Sequence, residues 1–292
     1  MEQWGAERID ELVALLAVAA PDEDLTADEL LTACYEQQPG VVLAPEGGGA
    51  AVAVGVGRAG DGALVAAVRL LVVGPERAAD GLTGALLDAA EQWALERGAE
   101  RIELGGALPF ALWPAVDAGS GLVHAAGRRG YEAPRRLRSF AVPAAFRAPV
   151  PTGVTVHRAV RDDDVTAVTL AAASAWPRRS DEIARALDHG TCHAAFATSS
   201  GDPDGVRGEV VGLGCHSVTR ATWVGPLVVR PEHRRRGVGH ALLGQICRDL
   251  MIAEFSAAEV HGIDDPDAEA FLLAAGARPG RDYEVLVKPL GG

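Results

Sequence analysis

The sequence lacks the cysteine pairs that would indicate a disulfide framework or a zinc site. Its 4 cysteines, Cys34, Cys192, Cys215 and Cys247, are scattered over 292 residues without a C-x-x-C spacing, so we predict reduced, buried thiols and no metal. Lysine is nearly missing: Lys288 is alone among 27 basic residues, against 40 acidic residues. The formal charge of −13 disfavours nucleic acid as a partner, because phosphate attraction requires a positive surface.

Long apolar runs are missing as well. Gly, Arg or Asp interrupts every candidate before it reaches the length of a membrane-spanning helix, so we expect no membrane segment. The N-terminal stretch carries acids and no basic region ahead of its apolar residues, which predicts an amphipathic helix and a cytoplasmic protein without a signal peptide. A hydrophobic fraction of 48% and a charged fraction of 23% suffice for one large or two ordinary globular domains.

The chain contains an internal repeat. Residues 72–87, VVGPERAADGLTGALL, align without gaps with residues 228–243, VVRPEHRRRGVGHALL, at an offset of 156 positions. Further along the chain the two copies match with a register shift of ten residues, because the first copy carries an aromatic insertion with Phe110 and Trp113. Two interpretations of the insertion are open: it covers its own domain, or it reaches over a site in the second.

Both copies predict the same order of strand, turn, helix, strand, loop, helix and final strand. Upstream of the second copy, we predict a strand at 154–157, a helix capped by Asp162, Asp163 and Asp164, and a hairpin of strands at 191–197 and 210–218. The sequence therefore predicts an α+β protein with two domains of one fold, 1–147 and 153–292. Each is expected to be a mixed, mostly antiparallel sheet flanked by helices.

The turn of the second copy has the chemistry of a pyrophosphate site. A helix that directly follows a strand points its free N–H groups at a ligand over the strand end. Two glycines allow close approach of an anion, and three arginines supply charge that grips phosphate. The residues assigned to this site are Leu227, Val228, Val229, Arg234, Arg235, Arg236, Gly237, Val238, Gly239 and His240. A merely solvated basic turn is the alternative, whereas the spacings of a P-loop and of a dinucleotide fingerprint are both missing.

The pattern V-x-P-x-x-R-x-x-G-x-G, carried by Val229, Pro231, Arg234, Gly237 and Gly239, resembles the acetyl-CoA motif of the GNAT N-acetyltransferase superfamily. The resemblance extends over both copies, and the tandem plan is similar to that of mycothiol synthase and related two-domain acetyltransferases. It implies that acetyl-CoA is the cosubstrate. It also implies that the strand's main chain pairs with the pantetheine arm while the amides of the turn hold the pyrophosphate.

The first copy departs from this motif. At the same offset, Ala78 replaces Arg234 and Asp80 replaces Arg236, while only Gly81 of the two glycines is retained and Thr83 replaces the other. Asp80 either opposes phosphate or simply caps its helix. We therefore predict one acetyl-CoA per chain, in the second domain, and a structural or substrate-shaping first domain.

The resemblance does not supply a general acid. Many family members carry a tyrosine seven residues after an asparagine in the last helix, and this sequence has Asp265 and Leu272 at those places. Asp265 is assigned to the cofactor site on that match, although an N-cap followed by Pro266 is the alternative.

Two residues are candidates for catalysis. His261 ends the strand beside the expected thioester and is suited to take the amine proton, whereas Gly105 stands there in the first copy. Tyr283, ahead of the final strand, is a candidate phenol. For both, a structural role is the alternative.

Four further side chains are placed by pattern alone. Cys215 and His216 lie on opposite faces of one strand, so we expect one in the core and the other facing the cleft. Glu209 opens that strand and is either a site residue or plain surface charge, and Trp223 lines the acceptor pocket or belongs to the core.

These observations lead to one main hypothesis and one alternative. We predict an N-acetyltransferase that moves an acetyl group from acetyl-CoA to a small-molecule primary amine, acting as a monomer or homodimer. The alternative, motivated by the missing tyrosine, is a catalytically silent acyl-CoA-binding regulatory module.

Overall fold

The structure is a computed structural model that describes residues 1–36, 39–105, 111–198 and 207–291. It is an α+β fold that divides into two compact units, residues 1–137 with 281–292 and residues 138–280. Among the described residues, no helix is long and apolar enough to cross a membrane. Phe110 lies outside the described residues, as does most of the predicted connection between the hairpin strands.

The first unit is a mixed sheet between two helical layers. Its strands are β1 (Glu2–Trp4), β2 (Gly40–Ala44), β3 (Ala50–Arg58), β4 (Leu64–Val73), β5 (Arg101–Leu104) and β6 (Val116–Asp117), and its helices are α1 (Ile9–Ala19), α2 (Ala27–Leu31), α3 (Leu82–Glu96) and α4 (Gly121–Gly127). Strands β1 to β5 pair in chain order, antiparallel except for the parallel pair β4–β5. One core cluster contains Leu86 and Ile102, and the other contains Leu12 and Leu70.

The second unit repeats this plan. Its strands are β8 (Val154–Arg158), β9 (Cys192–Thr198), β10 (Arg207–His216), β11 (Trp223–Val229) and β12 (Ala257–Ile263), and its helices are α5 (Asp162–Ala175), α6 (Ser180–Asp188), α7 (Val238–Ile252) and α8 (Pro266–Ala274). Only β11 and β12 are parallel neighbours. Helix α7 begins and ends 156 positions after α3. The repeat found in the sequence is therefore also present in the structure, at the same offset.

The final strand of each sequence repeat pairs with a strand of the other repeat, and these pairs lie within single units. Strand β13 (Arg278–Pro289) places Leu286 opposite Leu104 of β5, and β7 (Glu132–Pro143) places Phe140 opposite Val260 of β12. The compact units therefore differ from the predicted domains, 1–147 and 153–292, in the assignment of these strands.

Local structure corrects two helix predictions. Helix α5 has Arg161 as its N-cap residue and no side-chain cap, so the three aspartates occupy the first turn instead of capping it. Asp164 is buried there and accepts a hydrogen bond from Arg161 Nε at 3.1 Å. Helix α6 was not predicted at all, although Ile183 and Ala186 on its inner face are buried.

Candidate functional site

The two parallel strands of the second unit separate after a short pairing. Strand β11 pairs with β12 at Trp223↔Glu259 and Val224↔Val260, and no further pair is recorded along the described strands. On its other side β11 carries one extra residue between the pairs that Val224 and Leu227 make with β10. Such a bulge bends a strand and increases its twist. The main chain after the bulge is therefore turned away from β12, and residues 227–229 are half-buried in a central strand.

The turn that follows β11 exposes the start of helix α7. Gly237 is the N-cap residue with a φ of 85°, and no side chain caps the first turn. Since a left-handed φ strongly favours glycine, Gly237 is required by backbone geometry. The first N–H groups of α7 therefore carry the positive end of the helix dipole without a side-chain partner.

The three arginines of the turn have different surroundings. Arg234 Nε donates to the carbonyl oxygen of Val229 at 3.0 Å, which closes the turn onto the strand end. Arg235 forms an exposed ion pair with Asp267 at 2.6 Å. Arg236 is exposed and forms no ion pair with the described residues. Arg236 thus has the guanidinium most available to a phosphate, and Arg234 shapes the turn.

The second glycine of the motif, Gly239, lies against helix α8. A Cβ at Gly239 would lie 3.2 Å from Cε2 of Phe271 on α8. The Phe271 ring also stacks on His240 at a centroid distance of 4.3 Å, and His240 Nε2 lies 3.0 Å from the Phe271 carbonyl oxygen. Gly239 therefore permits close packing of α8 on α7, and the close approach of an anion stays a prediction.

Asp265 caps helix α8. Its side chain accepts a hydrogen bond from the Asp267 N–H at 2.9 Å, and Pro266 follows at the first helical position. Leu272, at the place of the family's tyrosine, is 1% exposed and packs in the core. The capping alternative for Asp265 is therefore confirmed, and α8 offers no hydroxyl group at the expected position.

His261 lies on the side of the sheet opposite α7. Val224, Val260 and Ala258 pack in a cluster with α7 residues, so strand alternation puts Trp223, Glu259 and His261 on the other face. His261 Nε2 is 3.1 Å from Glu259 Oε2, and its ring lies 4.2 Å from the Trp223 ring. Glu259 leaves 46% of its side chain exposed, against 12% for His261.

This group adds one residue that the sequence analysis did not single out. Glu259 and His261 are two positions apart on a strand, so their side chains share a face. That spacing is the sequence signal from which Glu259 could have been identified. The two side chains form a carboxylate–imidazole pair beside the point where the strands separate. Trp223 contributes to the same face, and its place in an acceptor pocket stays a prediction.

Other predicted site residues lie elsewhere. Tyr283 lies inside β13, not ahead of it, and belongs to the first unit, where it is buried with Leu137 and Val285 and pairs with Asp117. Its catalytic role stays a prediction. Glu209 forms an ion pair with Arg230 at 3.2 Å.

Cys215 and His216 are both buried, so the expectation that one of them faces the cleft is wrong. A hydrogen bond with Cys192, together with burial, raises the pKa of the Cys215 thiol, which makes it a poor nucleophile. His216 contacts Asp249 of α7.

In the first unit the parallel strands separate in the same way, but different side chains lie at the point of separation. Strands β4 and β5 pair from Val65 to Val68, and the extra residue of the β4 bulge is Arg69. Arg69 is buried, donates to the Ala33 carbonyl oxygen at 3.2 Å, and has its pKa lowered by burial. It lines a cavity of about 340 Å³ that Trp113 also lines. Trp113 packs on the first unit's own core, which favours the first interpretation of the insertion.

The first unit's turn lacks the charges of the second. Gly81 is again the N-cap residue, with a φ of 69° and no side-chain cap on α3. Asp80 pairs with Arg77 at 2.8 Å, so it does not cap the helix as one alternative held.

Comparisons with known proteins bear on the family and the fold. A family model described as the acetyltransferase (GNAT) family matches residues 6–110 and 160–272, one segment in each repeat. Among solved structures, a tandem GNAT protein from the clavulanic acid biosynthesis pathway is 19% identical with a TM-score of 0.70, covering 99% of this chain and 98% of that one. A GCN5-related N-acetyltransferase from Sphaerobacter thermophilus is 19% identical with a TM-score of 0.69, covering 100% and 95%.

A third similar structure is the glucosamine N-acetyltransferase region of a fungal multi-domain β-N-acetylglucosaminidase. It is 15% identical with a TM-score of 0.74, and the alignment covers 98% of this chain but only 38% of the fungal one. No curated protein matches the chain. At these identities the solved structures show a shared fold.

Proposed function

Since the chain belongs to the GNAT acetyltransferase family, we propose that its second unit transfers an acetyl group from acetyl-CoA to a small-molecule primary amine. The observation that carries the proposal is the strand separation after Val224 together with the uncapped start of α7. The strands separate at one end of segment 224–229, and at its other end Arg234 ties the turn before α7 to Val229. A long thioester lying along this segment extends from that turn toward the Glu259–His261 pair.

The residues present fit acetyl-CoA. The half-buried main chain of residues 227–229 is placed to pair with the pantetheine arm, and the N–H groups that follow Gly237 are placed to receive the pyrophosphate. Arg236 supplies an exposed guanidinium for a bidentate contact with phosphate. The thioester brings the activated acetyl group, and the protein holds it in reach of the amine.

The Glu259–His261 pair is the proposed base. An amine attacks only after it has lost its proton, and Nε2 of His261 and the Glu259 carboxylate are in hydrogen-bond contact. A cationic amine contacts the exposed Glu259 carboxylate first. The proton that the amine loses is then shared between Glu259 and His261 through their hydrogen bond. Trp223 packs against the imidazole and holds its ring orientation.

The alternative function is a silent acyl-CoA-binding module. Leu272, buried at the position where the family has tyrosine, favours it, because no acid on α8 is available for the departing thiolate. The two functions agree about binding and differ only in turnover.

Release of CoA thiol separates the two functions. We expect acetyl-CoA to yield thiol faster with at least one compound of a panel of polyamines, aminoglycosides and amino sugars; the amino sugars are included because the similar fungal structure is a glucosamine N-acetyltransferase region. The reaction without amine is the control, and mass spectrometry of the acetylated amine confirms transfer. Tight acetyl-CoA binding with no thiol release from any amine would favour the silent module.

A further inference from the structure

A buried polar cluster lies outside the proposed acetyl-transfer site. His193 on β9, His216 on β10 and Asp249 on α7 each bring a ligand-type atom within 4.8 Å of the other two. Asp249 Oδ2 is 2.7 Å from His193 Nε2 and 3.4 Å from His216 Nε2. The cluster lies under α7, whereas Glu259 and His261 are on the opposite face of the sheet.

The hydrogen bonds around His216 decide where its proton lies. Ser217 Oγ donates its hydrogen to the Ala221 carbonyl oxygen at 2.5 Å, so it accepts from His216 Nδ1 at 2.9 Å. Neutral His216 therefore carries its proton on Nδ1, and the Nε2 lone pair faces the Asp249 carboxylate. Two electron-rich atoms that face each other at 3.4 Å favour a cation that contacts both.

The remaining ligands suit such a cation. The Nδ1 atom of His193 is buried without a hydrogen-bond partner among the described residues, so this ring acts through Nε2 alone. Asp249 offers its carboxylate oxygen Oδ2, which lies 2.7 Å from His193 Nε2 and 3.4 Å from His216 Nε2.

We propose that His193, His216 and Asp249 bind a divalent transition-metal ion such as Zn²⁺, which ties α7 to β9 and β10. Two imidazole nitrogens and one carboxylate oxygen are ligands that suit Zn²⁺, and water completes the coordination. The hydrogen bond from His216 Nδ1 to Ser217 is the outer-shell contact that orients a ligating imidazole. The site is structural, because it is separated from the acetyl-transfer face by the sheet.

Arg158 is the competing cation at this site. Its Nη2 lies 2.5 Å from the same Asp249 oxygen, and 46% of its side chain is exposed, against 14% for Asp249. An exposed guanidinium turns to solvent at little expense, so the metal ion displaces it. Removing Arg158 should then strengthen metal binding, an effect that a purely structural ion-pair network does not produce.

The test is calorimetric titration of chelator-treated protein with ZnCl₂. We expect one equivalent per chain, affinity at least about tenfold weaker in His216→Gln and in Asp249→Asn, and tighter binding in Arg158→Gln. His124→Gln, which changes an exposed histidine of the first unit, is the matched control and should bind like the original protein. Cobalt(II) absorption, with and without the His216 substitution, shows whether imidazole ligates the ion.

Two results would overturn the proposal. One is the absence of Zn²⁺ binding to the original chain, in which case a proton on His216 fills the gap. The other is binding that His216→Gln and Asp249→Asn leave unchanged. Because a folding defect does not raise affinity, the gain expected for Arg158→Gln keeps the test decisive even if the ligand variants unfold.

Discussion

The turn before α3 in the first unit and the turn before α7 in the second have the same backbone and different side chains. Gly81 and Gly237 are both left-handed N-cap residues, at φ values of 69° and 85°, and neither helix has a side-chain cap. Arg236 in the second unit corresponds to Asp80 in the first, where the acid is held by Arg77. Both units thus have a helix N-terminus that is open to an anion. Only the second unit also places arginine side chains there to attract one.

The strand separations differ in the same way. The bulge residue is Arg69 in the first unit, where its buried guanidinium lies over Gly55, and the corresponding position in the second unit is Gly225. His261 corresponds to Gly105, where a Cβ would collide with the main chain of Ala115. The first unit therefore keeps the fold while its geometry excludes a side chain at the position of His261.

The largest effect is expected from His261. Replacing it with Ala should lower kcat by about 10²–10⁴-fold, since proton transfer by a positioned base contributes that much. Glu259→Gln should also lower kcat, and the double variant should be no worse than the more damaged single one, because the pair acts as a unit. Steady-state thiol release measures all three, with an unchanged Kd for acetyl-CoA as the control. Full turnover in His261→Ala would remove the proposed base.

Replacing the two glycine N-cap residues should have a smaller effect than replacing His261, and the effect on binding should differ between the units. Gly81→Ala and Gly237→Ala should each lower the free energy of unfolding by about 1–2 kcal/mol, because alanine is strained at a left-handed φ. Only Gly237→Ala should weaken acetyl-CoA binding. Denaturant unfolding and calorimetry measure the two quantities, and altered acetyl-CoA affinity in Gly81→Ala would contradict the difference between the units.

Replacing Gly239, the second glycine of the motif, should change the stability by less again. Gly239→Ala should destabilise the protein by about 1 kcal/mol, since its Cβ would press on the Phe271 ring at 3.2 Å. Thr83 holds the corresponding place in the first unit, so Thr83→Ala is a suitable control with little effect. If Gly239→Ala melts like the original protein but loses acetyl-CoA, the packing explanation fails and the anion explanation is restored.

The smallest expected signal concerns the thiols, which both units keep buried. Burial raises the pKa of Cys34 to about 12 and that of Cys247 to about 11. The reactive thiolate is therefore scarce at pH 8, and becomes more abundant only as the pH approaches those values. Native protein should react negligibly with a disulfide reagent at pH 8, and unfolded protein should show 4 thiols. Rapid reaction of the native chain would contradict this.

Much of this fold was predictable from the repeat. The offset of 156 residues reproduces the bounds of α3 and α7, because the same turn and the same apolar spacing start both helices. The exchange of the final strands was not predictable, since a Val- and Leu-rich segment specifies a strand but not which sheet it joins. Helix α6 was missed because Ser180–Asp188 is short and rich in charge.

The site was predictable in part for similar physical reasons. The arginines and Gly237 act through charge and local backbone conformation, which adjacent sequence encodes. Tyr283, Gly239 and the His193 cluster depend on tertiary neighbours: the two cluster histidines are 56 and 33 positions from Asp249. No local spacing reveals such contacts.

Calorimetric titration with acetyl-CoA tests the central comparison most directly. The account predicts one site per chain, an affinity about 100-fold weaker in the Arg234→Ala/Arg236→Ala variant because the phosphate contact of Arg236 and the turn geometry held by Arg234 are both lost, and no change in Arg77→Ala in the first unit's turn. Two equivalents of acetyl-CoA, or an unchanged Kd in the double variant, would contradict it.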